Sequence, residues 1–199
     1  MLTIRKSAIK DIDISSLIPR LNGDETQAFY YREDPSKRTS EYPLLKHISD
    51  QFENEIFLEF GCLRGGSALV LAMNRKNIVF TIDNALNYPL YDFTGLSIRH
   101  IVCNAIHITD NLEIIEKIPK AKLINIDISH DGNDERILLQ ILRDYKFRGI
   151  VVMDDLYYHT GFMKSLWESI PEPKQDLTEI GHFSGTGIVD FGYGFEVIE

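Results

Sequence analysis

Ile56-Phe57-Leu58-Glu59-Phe60-Gly61-Cys62-Leu63-Arg64-Gly65-Gly66-Ser67 decides the fold. A short apolar run meets an acid and breaks into a glycine-rich turn, and the apolar stretch from Ala68 to Asn74 then continues as a helix former. Strand, tight turn and helix in that order open a βαβ unit. The pattern recurs downstream. Ile78-Val79-Phe80-Thr81-Ile82 runs into Asp83, Leu123-Ile124-Asn125-Ile126 into Asp127, and Ile150-Val151-Val152-Met153 into Asp154 and Asp155. β-Branched runs of this length read as buried parallel strands. Ligands of open parallel sheets sit in the crevice outside the carboxyl ends of the strands. Five carboxylates are therefore expected along one sheet edge.

Helical patterns fill the gaps between these runs. Residues 41–49 open after Ser40 as the candidate cap, 109–118 carry Leu112, Ile115 and Ile118 as an apolar stripe, and 133–145 and 163–170 follow. Ile98 to Val102 adds another strand, and residues 177–199 hold two short β-type runs about Ser184-Gly185-Thr186-Gly187, expected as an antiparallel hairpin at one sheet edge. The alternation predicts an α/β fold, a mostly parallel sheet with helices on both faces. Residues 1–40 read as an N-terminal extension or lid and 41–199 as the main domain. The aromatics Tyr30, Tyr31, Tyr157, Tyr158 and Trp167 are candidates to line a second pocket, although Trp167, at helical spacing with Met163 and Ile170, is more simply core.

With 199 residues, 44% of them hydrophobic, the chain suits one soluble domain. No apolar run approaches the ~20 residues of a membrane span, and the N-terminus lacks a signal-peptide core. Cys62 and Cys103 sit in or beside core elements and read as free thiols, which fits a cytoplasmic setting. A net charge of −9 argues against a general nucleic-acid binder, leaving Lys37-Arg38 as a local basic pair. Homo-oligomer formation stays open.

The glycine turn, with Asp83 ending the next strand, points to a nucleoside. Glycines permit close backbone approach, and an acid about 20 residues on can accept from both ribose hydroxyls. A purely structural turn with a solvated aspartate is the competing reading. The turn lacks the Gly-x-Gly-x-x-Gly spacing of dinucleotide enzymes, and Gly-Lys-Ser/Thr is absent, which excludes a P-loop. Glu59 would repel a pyrophosphate and suit a ligand with a positive end. S-adenosylmethionine has a ribose, an α-amino group and a sulfonium, and no phosphate. Its expected contacts are Glu59, Gly61, Gly65, Ser67 and Asp83, with Asn104 near the adenine.

Three acids converging at one edge repel one another unless protonated or bound to a cation. Asp127, Asp154 and Asp155, oxygen donors without a Cys or His cluster, favour Mg²⁺, Mn²⁺ or Ca²⁺ over zinc. His130, three residues past Asp127, is the candidate general base on an acceptor hydroxyl. His182 and His159 are the other candidates.

Glu59-Phe60-Gly61-Cys62-Leu63-Arg64-Gly65-Gly66-Ser67 resembles motif I of class I S-adenosylmethionine-dependent methyltransferases, and Asp83 matches their ribose-binding acid. Asp127-Ile128-Ser129-His130 and Asp154-Asp155 resemble the metal-assisted O-methyltransferase branch that includes macrocin O-methyltransferase and cephalosporin-hydroxylase-like proteins. Ile128 replaces the glycine usual in that branch, and the short N-terminus leaves little material for an acceptor lid. The resemblance implies a Rossmann-like, seven-stranded sheet with an antiparallel last strand. It also implies methyl transfer to a small-molecule or sugar hydroxyl with a divalent cation, Mg²⁺ first, and Asp127 and His130 in catalysis. The rival readings are another, hydroxylase-like chemistry on this fold, a non-catalytic nucleoside-binding module, and a nicotinamide oxidoreductase, the last opposed by the glycine spacing and Glu59.

Overall fold

The computed structural model describes residues 1–32, 40–84, 89–158 and 161–199. Lys37, Arg38 and His159 lie outside them.

In chain order the elements are β1 (Leu2–Arg5), α1 (Lys6–Ile9), α2 (Glu25–Arg32), α3 (Tyr42–Ser49), β2 (Ile56–Phe60), α4 (Gly66–Leu71), β3 (Ile78–Asp83) and β4 (Ile98–Val102). Then come α5 (Leu112–Ile115), β5 (Ala121–Ile126), α6 (Asn133–Asp144), β6 (Ile150–Asp154), α7 (Phe162–Ser169), β7 (Lys174–Asp176), β8 (Thr186–Asp190) and β9 (Phe195–Ile198). Short 3₁₀ turns at Ser15–Leu21, Ala105–Asp110 and Ile118–Lys120 join them. The helical pattern at 109–118 thus resolves into one turn of α-helix between two 3₁₀ segments.

Seven strands form one sheet in the order β4-β3-β2-β5-β6-β8-β7. The pairings from β4 through β6 are parallel, whereas β8 runs antiparallel to both β6 and β7. This is the Rossmann-like sheet that the resemblance implies, with its antiparallel hairpin. The hairpin differs from the expected one. Its strands are β7 and β8, whereas β9 leaves the sheet and pairs in parallel with β1. Lys174-Gln175-Asp176 carries no apolar pattern because β7 is an edge strand with two exposed residues out of three.

Two apolar layers sandwich the sheet. Phe57, Val79, Leu123, Val152 and Ile188 face α3, α4 and the N-terminal elements. Leu58, Phe80, Ile124, Val151 and Val189 face α6 and α7, where Trp167 is core, 8% exposed. The N-terminal elements join the first layer through Leu2, Ile4, Ile9, Leu17 and Leu21. Tyr31 is buried too, and its hydroxyl donates to the Gly66 carbonyl at 2.6 Å. It is a packing residue and not part of an acceptor pocket.

Period-two alternation has a consequence at β2. Glu59 shares the face of Phe57, with Thr81 and Asn125 as its direct cross-strand neighbours. A fully buried polar row thus crosses the middle of the sheet one pleat below its carboxyl edge. Among the described residues no helix is long and apolar enough to cross a membrane.

Candidate active site

The turn after β2 is fixed before any ligand is considered. Gly61 has φ 88°, and a Cβ there would lie 1.6 Å from the Asp127 carbonyl oxygen. At Gly65, φ 93°, a Cβ would strike the Phe93 ring at 2.3 Å. Glycine is required at both positions by neighbouring protein. Leu63, with φ 49°, takes a left-handed conformation costly for a side chain. Asp83 Oδ2 holds it there, accepting from the N–H groups of Cys62 and Leu63, both at 2.8 Å. Asp83 therefore anchors the turn as well as facing the crevice.

Above the turn lies a cavity of about 450 Å³, within the usual span of small-molecule sites. Its wall runs from Gly61, Ser67 and Asp83 past Asn104 to Asp127, Ser129 and His130. Gln27 of α2, Tyr42 and Tyr91 complete it. Arg64 secures this roof, pairing with Asp24 at 2.7 Å and lying 5.0 Å over the Tyr91 ring. Gly65 is not on the wall, nor is Glu59, which lies fully buried beneath it. Burial raises Glu59 to about 7, tempered by Ser67, Thr81 and Asn125 nearby. Thr81 Oγ1 donates to its Oε2, but Oε1 and both side-chain ends of Asn125 are buried with no hydrogen-bond partner among the described residues.

The strand-end acids meet beside this cavity. His130 Nε2 lies 2.7 Å from Asp127 Oδ1 and 3.4 Å from Asp155 Oδ2. His182 Nδ1 lies 3.3 Å from Asp154 Oδ2 and 3.6 Å from Asp155 Oδ1. Ser184 donates to Asp155 and sits 2.7 Å from His182 Nδ1. Two of these residues sit in left-handed backbone, His130 at φ 57° and Asp155 at φ 58°. The strain at His130 is held by Glu135, 1% exposed, whose carboxylate accepts from the N–H of His130 at 2.7 Å and of Gly132 at 2.8 Å.

Glu41 is a further member that the sequence alone does not point to. Glu41 precedes α3 as its N-cap, in place of the expected Ser40, but makes no side-chain cap bond. It is 5% exposed, with a carboxylate oxygen within 4.8 Å of donor atoms of Asp154 and His182. Asp127, His130 and Asp155 form a second group of the same closeness. The three aspartates expected as one ligand set are thus shared between two groups, each with a histidine.

Opposed charges set the protonation of this cluster. Burial works against a charge on His130, but its hydrogen bond to Asp127 and the Asp127 and Asp155 charges carry it to about 9. Burial is likewise outweighed at His182, which Asp154 and Asp155 raise to about 10. Burial raises Asp154 to about 6 and Glu41 well above the usual range. All four bind protons more tightly folded than unfolded, so their contribution to stability is present at low pH and lost as pH rises. In chelator, the melting temperature should fall from pH 6 to pH 10, and a saturating divalent cation should flatten the fall. Thermal melts across that range check this, and a melting temperature that rises toward pH 10 would contradict it.

No family description matches the chain. A curated relative, the uridine kinase of Clostridium novyi, is 28% identical over 102 residues, 49% of this chain and 49% of the relative. The chain thus matches about half the length of that relative. Solved structures resemble it over most of its length. The SAH-bound methyltransferase PaMTH1 of Podospora anserina superposes with TM-score 0.59 at 16% identity, covering 88% of this chain and 87% of that one. CalS11, a TDP-rhamnose 3′-O-methyltransferase, gives 0.56 at 12% identity, covering 94% and 91%. The MycE methyltransferase in complex with Mg and SAH gives 0.54 at 17% identity, covering 93% of this chain and 55% of its own. The fold is the methyltransferase fold.

Proposed function

We propose that this chain is an S-adenosylmethionine-dependent methyltransferase that methylates a hydroxyl of a small molecule or sugar, assisted by a divalent cation. One observation carries the reading. A single cavity wall joins the glycine turn, Asp83 and Asn104 to Asp127 and His130, so a nucleoside-binding edge and a proton-accepting edge face the same space. SAH and Mg in MycE, and the sugar in the name of CalS11, support the cofactor, cation and acceptor class. The uridine kinase similarity comes without the Gly-Lys-Ser/Thr of a P-loop.

The ribose is assigned to Asp83, the adenine end to Asn104, and the remaining cofactor length to Gly61 and Ser67. Glu59, off the wall, contributes charge from below and not contact. Asp127 and Asp155, with Asp154 behind them, are the carboxylates offered to the cation, which when bound polarises the acceptor oxygen as a Lewis acid. The charges of Asp127 and Asp155 hold a proton on His130; a cation on those carboxylates would offset them and free the imidazole to take the hydroxyl proton. S-adenosylmethionine held here would supply the methyl group, with the C–S electron pair staying on sulfur, and the wall residues that align it with the hydroxyl would supply much of the rate. Tyr158 and Phe183, 41% and 64% exposed, stand against His130 and His182 and offer the acceptor an aromatic rim.

Calorimetry should show S-adenosylmethionine and SAH binding to the unaltered protein. Asp83→Ala should weaken both by about 1–3 kcal/mol, the range for a lost hydrogen bond to a charged group, with some loss of stability as the turn loses its anchor. No binding to the unaltered protein would refute the cofactor. Binding without turnover on any phenolic or sugar hydroxyl, with Mg²⁺ present, would favour a nucleoside-binding module.

A further inference from the structure

Gln27 of α2 and Tyr42 at the start of α3 bring a pair of neutral polar groups to the cavity wall. The Gln27 Nε2 amide donates to Tyr42 Oη at 2.7 Å. Both polar ends stand over the start of α4, where a Cβ on Gly66 would lie 2.6 Å from Tyr42 Oη and 2.8 Å from Gln27 Nε2. Each residue is held in place from behind. The Gln27 N–H donates to Asp24 Oδ1 at 3.0 Å, and the Tyr42 ring meets Tyr31 edge-on at 5.2 Å. Among the described residues, neither the Tyr42 hydroxyl proton nor the second amide proton of Gln27 has an acceptor. Turning the amide over leaves the count unchanged, because Tyr42 would then donate to Oε1 and release both amide protons. Two neutral donors are left over in either orientation.

We propose that Gln27 and Tyr42 form the subsite for the α-carboxylate of the cofactor's methionyl end, so that the N-terminal elements select a nucleoside carrying an intact amino acid. This rests on the S-adenosylmethionine reading and deepens it. Three features carry it. With the ribose on Asp83 and the adenine end at Asn104, the rest of the cofactor runs past Gly61 and Ser67, and the pair stands at Gly66, next to Ser67. The turn is also polarised. Arg64, the one arginine or lysine on the wall among the described residues, lies at the α2 end and pairs with Asp24 there, whereas Asp127 stands at Gly61. A zwitterion laid along the turn therefore has its carboxylate at the donor end and its ammonium at the acidic end. Finally, hydrogen bonds to an ionised acceptor are roughly twice as strong as neutral ones, and one carboxylate can accept both donors.

The neutral pair has this role because the nearby cation is engaged. Asp24 accepts from Arg64 Nη1 at 2.7 Å and from Tyr91 Oη at 2.9 Å, so the guanidinium is tied to the roof and adds attraction from a distance. Donors built for a carboxylate also discriminate. A ligand without one leaves them facing no acceptor, and the lost hydrogen bonds count against it. Nucleosides that lack the amino acid are disfavoured on this ground, although adenine and ribose contacts remain.

The full chain is titrated by calorimetry with SAH and with its decarboxylated analogue, 5′-deoxy-5′-(3-aminopropylthio)adenosine, which keeps the adenine, ribose, sulfur and amine. The native protein should bind SAH about tenfold or more tightly than the analogue. Tyr42→Phe and Gln27→Leu should each weaken SAH by about fivefold or more and leave the affinity for the analogue unchanged. Asp83→Ala, at the ribose, should weaken both ligands alike. Tyr42→Phe keeps the ring against Tyr31, and a melting temperature close to that of the native protein checks its fold. The comparison of the two ligands on the native protein stands even if a variant does not fold. Equal affinity of the native protein for both ligands, or equal weakening of both by Tyr42→Phe or Gln27→Leu, would overturn the subsite and leave the cofactor reading in place. Binding of neither ligand to the native protein would overturn the two together.

Discussion

Alanine in place of Gly61 should leave no stably folded protein. The added methyl carbon would lie 1.6 Å from the Asp127 carbonyl oxygen and 2.5 Å from its carbon, both backbone atoms. Neither side can yield cheaply. The Gly61 N–H donates to the Ile82 carbonyl at 2.9 Å, and the Asp127 N–H donates to the Phe60 carbonyl at 2.9 Å, so both chains are pinned by the sheet at the point of contact. The positive φ adds about 1–2 kcal/mol, and the clash takes the total beyond about 4 kcal/mol, a large fraction of the 5–15 kcal/mol typical of a domain. Gly23→Ala is the control, because its φ of 78° is similar but a Cβ there meets nothing within 4 Å. Circular dichroism and thermal melts decide the matter. If Gly61→Ala melts within a few degrees of the native protein, the β2–β5 junction is far more pliant than its geometry implies.

The second large effect is on turnover. His130→Ala should lower it by roughly 10²-fold or more, with cofactor affinity nearly unchanged. His130 lines the cavity, and Glu135 holds its strained backbone so that Nε2 meets Asp127. His182 is not on that wall and faces Asp154 and Ser184 instead. The pH–rate profile of the variant should lose a limb. His182→Ala should leave the cofactor site intact and act through Asp154 and Asp155, which His182 contacts. If His130→Ala turns over near normally while His182→Ala does not, the two roles are reversed.

The sheet was readable because its central strands are buried on both faces and so must be continuous apolar runs. β2 spans Ile56–Phe60, as its sequence predicts, and β3, β5 and β6 differ only at their ends; β4 is an edge strand without a buried residue, and its β-type run alone gives Ile98–Val102. The β7 edge and the β1–β9 pair were not readable. β7 is polar, and β1 is four residues whose pairing depends on a strand 190 residues away. Within the site, acids at strand ends could be placed because topology alone brings strand ends together. Glu41 could not, since it enters from a helix start and nothing local distinguishes it from a cap. Glu59 illustrates a different limit. Its place in the motif suggested ligand contact, whereas the alternation of β2 puts it on the Phe57 face, under the site.

The pairing of β1 with β9 also sets an order of assembly. Leu2 and Ile4 find their strand partners only at Phe195 and Val197. β1 and β9 are among the most widely separated paired segments of the sequence, so their pairing closes a very long loop. Closing so long a loop is slow, because its entropy is lost before the contact is gained. The segment waiting on that closure includes α2, whose Gln27 helps roof the cavity. The seven-stranded sheet and its row of acids contain neither β1 nor β9 and can form before the roof is fastened, so the cavity is completed by a pairing outside the sheet that carries its acids.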